Sequence, residues 1–270
     1  MKPEFLMCAP DFFGVRYAIN PWMDGQIGQV DSALALRQWS GFYEALKQTA
    51  QVHLIDPHPH VPDLVFTANA GLVSGDRFIA SRFRHEERRR EEPLFLEWFE
   101  ENSDTRHLLL PKHLAFEGAG DALVQPGTSL LWMGYGFRTD LEAHHFLRGH
   151  YQGKVISLKL VHPSFYHLDT CFCPLPDGRA LYYPAAFAPE SLQLIEKHIP
   201  PENRIVVPEA DARYFACNAV LSGRTLFMNH ASPALQQAIE NKGLVVSIQP
   251  VTEFLKAGGA NKCLTLALSG

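Results

Sequence analysis

Apolar residues recur at helical spacing in five stretches, Val30 to Thr49, Glu91 to Asn102, Glu142 to His150, Pro189 to His198 and Pro233 to Lys242. In the first, Leu34, Trp39, Phe42 and Leu46 mark the face expected to pack inward. Each stretch is followed by a short apolar, β-branched or aromatic run: Val52 to Ile55, His107 to Leu110, Val155 to Leu160, Arg204 to Val207 and Val245 to Gln249. Strand-like pairs lie between, such as Gly71 to Val73 and Arg77 to Ser81, with Gly75 and Asp76 supplying the turn. The order strand, turn, strand, helix, strand thus recurs about five times, roughly every 50 residues, as structural periodicity without sequence identity. A repeated unit, rather than a doubly wound sheet, is predicted, and a propeller would gather polar residues from many units around a central channel.

The 270 residues, 46% hydrophobic and 20% charged, have the balance of a globular chain. One compact domain over 1–270 is expected, because a symmetric architecture can share burial at this length. A net charge of −5 argues against a nucleic-acid binder. The one basic run, Arg82 to Arg90, is broken by Glu86 and Glu87 and reads as a solvated segment. No apolar run approaches bilayer length, so no membrane partner is expected. The odd set of cysteines, Cys8, Cys171, Cys173, Cys217 and Cys263, without a cationic, apolar leader, predicts a reduced cytoplasmic protein. Cys171 and Cys173 would share a strand face, but no second pair completes a zinc site, so no metal is expected.

Four turn-rich segments carry the candidate chemistry: Pro62 to Gly71, Phe116 to Asp121, Tyr166 to Thr170 and Lys256 to Thr265. In the second, Glu117 and Asp121 flank small residues that let backbone approach a ligand while both carboxylates project toward it; a solvated glycine turn is the plain alternative. In the third, Asp169 would share a strand face with His167, pairing an acid for a cation with an imidazole for protons. In the fourth, Cys263 follows the permissive Gly258-Gly259-Ala260 loop and precedes an apolar run, Leu264 to Leu268, suited to a last strand. A lone cysteine is as readily a buried core residue, so spacing alone reaches no further than Cys/His chemistry as one reading.

Taken in order, these segments resemble the guanidino-group-modifying superfamily, which includes arginine deiminases, dimethylarginine dimethylaminohydrolases and amidinotransferases. The similarity is greatest to the catalytic domain of cyanobacterial arginine dihydrolases, through Ile19 to Met23, Phe66 to Gly71, Phe116 to Asp121, Gly134 to Arg138, His167 to Cys173 and Phe215 to Asn218. The resemblance implies a five-bladed α/β propeller (a pentein), a hydrolase acting on the C–N bonds of a linear amidine, no cofactor, and free L-arginine or a close analogue as the small-molecule substrate. It implies Cys263 as nucleophile, His167 as general acid and base, Glu117, Asp121 and Asp169 around the guanidinium, Asn20, Arg88 and Arg138 at the amino-acid end, and Asp63 among the substrate contacts. Assembly into a homo-oligomer is left open.

Asn69 and Ala68 stand where deiminases usually carry Asp and Arg, and Phe137 stands where they place an acid. These departures match the dihydrolase pattern, whose products would be ornithine, ammonia and carbon dioxide. Release of citrulline from arginine or methylated arginine, and arginine binding without catalysis, are the alternatives. The longer cyanobacterial proteins carry a further domain associated with proline formation, which the sequence up to Gly270 does not contain, so ornithine is the expected end product.

Overall fold

The computed structural model describes residues 2–268. Its strands fall into five three-stranded sheets, each built from an antiparallel pair and one parallel neighbour reached through a helical crossover. In chain order β1 (Glu4–Cys8) leads through α1 (Ser32–Lys47) to β2 (Gln51–Ile55), which pairs parallel to it. The second unit is β3 (Gly71–Ser74), β4 (Arg77–Ala80), α2 (Glu91–Asn102) and β5 (Arg106–Leu109). The third is β6 (Ala122–Val124), β7 (Leu130–Tyr135), α3 (Leu141–Arg148) and β8 (Lys154–Lys159). The fourth is β9 (Phe172–Leu175), β10 (Arg179–Tyr182), α4 (Pro189–His198) and β11 (Arg204–Val206). After the short α5 (Glu209–Ala212) the fifth runs β12 (Val220–Ser222), β13 (Thr225–Met228), α6 (Pro233–Glu240) and β14 (Val245–Ile248). Past α7 (Thr252–Leu255), β15 (Leu266–Ala267) returns antiparallel to β1, with Leu6 opposite Leu266. The last strand thereby completes the first sheet, and the ring of five blades closes as the periodicity predicted.

The helices lie where the apolar spacing put them, α2 and α4 with the expected bounds, α1 and α6 trimmed, and α3 beginning one residue earlier, at Leu141. Helix α1 starts at Ser32 rather than Val30, because the Asp31 side chain caps it by accepting from Leu34 N at 2.9 Å. Its buried face is Ala35, Trp39, Phe42 and Leu46, so Leu34 is displaced by Ala35 from the expected set; steps of four, three and four residues keep one stripe inward. Central strands are buried on both sides, as Leu131, Trp132 and Met133 of β7 illustrate, and the Trp132 indole donates to Gln125 Oε1 at 2.9 Å. Among the described residues no helix is long and apolar enough to cross a membrane.

Before the inner strand of four blades, and before β15, the chain makes a tight buried turn. Thr67–Ala70 precedes β3, Gly118–Gly120 precedes β6, Leu168–Thr170 precedes β9, residues 215–219 precede β12, and residues 260–265 precede β15. Fivefold pseudosymmetry therefore brings the segments singled out by sequence, and one more, to a common axis.

Candidate active site

Asn20, Asp63, Asn69, Arg88, Arg138, His167 and Cys263 line one small cavity at this axis, closed by Tyr166 and Gly258. Its free volume is about 10 Å³, room for roughly one water. Gly258 has φ +84°, and a Cβ there would meet Tyr166 Oη at 2.5 Å and Asn20 Oδ1 at 2.9 Å, so the loop over the cavity requires glycine. Tyr166 Oη donates to Gly258 O at 2.7 Å, and Asn20 Nδ2 donates to Ala257 O at 3.1 Å, pinning that loop down.

Cys263 is held by Asn218, a residue to which sequence reasoning gave no role. Asn218 Nδ2 donates to Cys263 Sγ at 3.1 Å and to Asp169 O, while its Oδ1 accepts from the Cys263 and Ala260 amides, both at 3.1 Å. The signal for it was positional, since the Phe215 to Asn218 string occupies the fourth copy of the same turn. The thiol donates to Asp169 Oδ2 at 3.3 Å. Burial, reinforced by the Asp169 charge, drives the thiol pKa well above its ordinary value of 9.0, so the resting group is SH. Burial also lifts Asp169 to about 6, against the pull of Lys262.

His167 Nε2 lies 2.7 Å from Glu117 Oε2, and the same oxygen accepts from Arg138 Nη1 at 3.1 Å. Burial opposes ionisation of Glu117, but Arg138 and His167 together hold it well below the carboxylate range. An ionised carboxylate can only accept, so Nε2 carries a hydrogen and Nδ1 is the ring nitrogen left for proton transfer.

The acids separate where the sequence suggested they act alike. Neither carboxylate is in the cavity wall; Glu117 reaches it through His167 and Arg138, which are. Asp121 Oδ1 accepts from Leu168 N at 2.9 Å and Oδ2 from Thr139 Oγ1 at 2.8 Å, so it braces the His167 turn instead of projecting toward a ligand. His167 and Asp169 are joined by a 3-10 turn rather than a strand, and Asp169 sits against the thiol.

Arg88 departs from the solvated reading of its segment. It is 4% exposed, gives Nε and Nη2 to the two Glu91 oxygens at 2.8 and 2.7 Å, and gives Nη1 to Asn69 Oδ1 at 2.8 Å. Asn69 Nδ2 in turn donates to Glu117 O at 3.1 Å. Arg138 is similarly engaged, with Nη2 on Ile19 O at 2.9 Å and its guanidinium 4.6 Å over the Tyr166 ring. Asp63 Oδ2 accepts from Tyr17 Oη at 2.8 Å. Two carboxylate oxygens, Asp63 Oδ1 and Asp169 Oδ1, are buried with no hydrogen-bond partner. Both are acceptors free to take a donor supplied from outside.

A five-bladed α/β propeller with a buried thiol, an imidazole on a carboxylate and unspent acidic acceptors at its axis defines a class of enzymes that handle cationic C–N compounds. No family model matches the chain. It is 53% identical over 266 residues to the bifunctional arginine dihydrolase/ornithine cyclodeaminase AgrE of Nostoc sp., covering 98% of this chain and 38% of that protein. It is 37% identical over 266 residues to the N(G),N(G)-dimethylarginine dimethylaminohydrolase of Mycobacterium tuberculosis, covering 98% and 85%. The N-terminal domain of ArgZ, an arginine dihydrolase solved as a cysteine-to-serine variant bound to substrate, superposes with a TM-score of 0.97 at 49% identity, covering 99% and 98%. An asparagine-to-serine variant of that domain is covalently bound to a reaction intermediate. The chain belongs to the guanidino-group-modifying superfamily of these dihydrolases and dimethylaminohydrolases. It spans about two-fifths of the length of the bifunctional relatives.

Proposed function

We propose that residues 1–270 form one catalytic domain that hydrolyses the guanidinium of free L-arginine to ornithine, two ammonia and carbon dioxide. The observation that carries the reading is the orphaned oxygen of Asp63 in the cavity lined by Cys263 and His167, with a second orphan on Asp169, whose other oxygen meets the Cys263 thiol. A guanidinium offers five N–H donors in a plane, the complement of two carboxylates. Its positive charge also meets the requirement of the thiol, whose ionisation is opposed by burial and by Asp169. Substrate binding thus generates the nucleophile, with Nδ1 of His167 as the base.

Cys263 Sγ then bonds to the guanidinium carbon, and a C–N bond to a terminal nitrogen breaks as His167 returns the proton to departing ammonia. Water, deprotonated by His167, adds to the S-linked amidinium, and the second terminal nitrogen leaves as ammonia. The S-linked carbamoyl group takes a second water, the C–S bond breaks, and the carbamate formed falls apart into ornithine and carbon dioxide. Two waters are consumed and two ammonia released, which balances the reaction. Asn69 is assigned the choice between one and two ammonia: a neutral amide holds the intermediate without fixing the second nitrogen as a cation. Five unpaired cysteines suit a reducing, cytoplasmic setting.

Acid quenching during turnover, followed by intact-mass and peptide analysis, tests the covalent step. An adduct on the Cys263 peptide is expected, absent in Cys263→Ala. Turnover that persists in Cys263→Ala would refute it.

A further inference from the structure

A second cavity, about 680 Å³, lies back to back with the first. Neighbouring residues divide between the two: Cys263 lines the first and Lys262 the second, and the Asn218 that holds the thiol is flanked by Cys217 and Ala219 of the second. Its walls take one apolar side chain or more from each blade, among them Phe5, Val73, Leu123, Phe172 and Val220. The volume falls in the range of small-molecule sites, roughly 300–1,000 Å³.

The charged residues in this wall are Glu4 and Lys262. Glu4 is spent on His53, at 2.9 Å. Lys262 Nζ makes one hydrogen bond, to Thr265 O at 3.3 Å, and among the described residues forms no ion pair within 4.0 Å. Asp169 is its nearest countercharge but lies beyond ion-pair distance, so the ammonium keeps two unspent donors beside apolar walls.

We propose that this cavity binds a small amphipathic carboxylate, its tail against the apolar strand walls and its carboxylate on Lys262. Occupancy reaches the first site electrostatically, because Lys262 adjoins Cys263 in sequence and its charge helps to hold the Asp169 pKa down, alongside hydrogen bonds from Cys263 and Asn218. An anion on Lys262 cancels that pull, so Asp169 takes up its proton at higher pH and turnover near pH 6 falls.

Octanoate serves as the probe and octan-1-ol as its uncharged match, with binding to the intact chain followed by calorimetry. Saturable one-to-one binding of octanoate is expected, at least tenfold tighter than octan-1-ol. Lys262→Met should erase the difference. Leu221→Trp, which fills the cavity from a residue outside the catalytic machinery, should block octanoate while arginine turnover continues. Equal binding of the two probes, no saturable binding, or displacement of octanoate by arginine from Cys263→Ala would overturn the proposal. The calorimetric results do not depend on what the first cavity catalyses; a shift of the acid limb of turnover to higher pH with octanoate bound is the additional outcome if it hydrolyses arginine.

Discussion

Arg88 donates through Nη1 to Asn69 Oδ1 at 2.8 Å, and that bond fixes which way the Asn69 amide faces. The guanidinium is itself fixed by Glu91, 0% exposed, so a carboxylate with no contact to the cavity sets the orientation of the residue assigned to product choice. Glu91→Gln leaves a buried cation half-paired, which costs about 3 kcal/mol of stability by urea denaturation. Turnover should fall about tenfold, with citrulline rising relative to ornithine as the amide loses its fixed direction. An unchanged product ratio in a folded Glu91→Gln protein would contradict the coupling.

Asn69→Asp places a second anion against Glu117 O in place of the Nδ2 donor, while Arg88 still pairs with it. It should hold the remaining nitrogen of the covalent intermediate as a cation. Ornithine formation is expected to drop about tenfold or more and citrulline to replace it, read by mass spectrometry of the products. Undiminished ornithine would remove Asn69 from that role.

The pH profile has a definite sign. Burial raises Asp169 to about 6, so above that pH it is an anion that attracts the guanidinium, and below it the charge is lost. The rate at low substrate, kcat/KM, should therefore fall toward acid with a limb near pH 6. Asp121 also sits at about 6, but both its oxygens are bound away from the cavity. Asp169→Asn should lower the rate and flatten the limb; a limb that persists unchanged would assign it elsewhere.

Much of this was legible in the chain. The long helices and the strands after them follow from apolar period, and the blade count follows from their repetition. The four-residue helices α5 and α7 and the 3-10 turns are too short to show a period, and those turns carry the site. Sequence could bring Glu117 and Asp121 into one turn but not tell that they take different partners, His167 for the one and Leu168 N and Thr139 for the other. Nor could a basic run disclose that Arg88 alone is drawn inside, since Glu91 one helical turn later supplies its partner. Asn218 was hidden because an asparagine before a strand is common, and only the ring closure brings it to Cys263.

The resting thiol is protonated, which predicts poor reactivity without substrate. At pH 7.5 iodoacetamide should alkylate Cys263 at least about tenfold more slowly than free cysteine. Asn218→Ala removes the donor on sulfur, and a hydrogen bond to a charged group is worth about 1.5–3 kcal/mol, so turnover should drop about 10- to 100-fold. Rapid alkylation of the free enzyme at neutral pH would instead mean a preformed thiolate.

Arginine carrying ¹³C at the guanidinium carbon, followed by NMR during turnover, tests the central claim most directly. The label is predicted to move into bicarbonate as unlabelled ornithine accumulates, with none retained in citrulline. Label that stops in citrulline, or stays in arginine, would contradict the account.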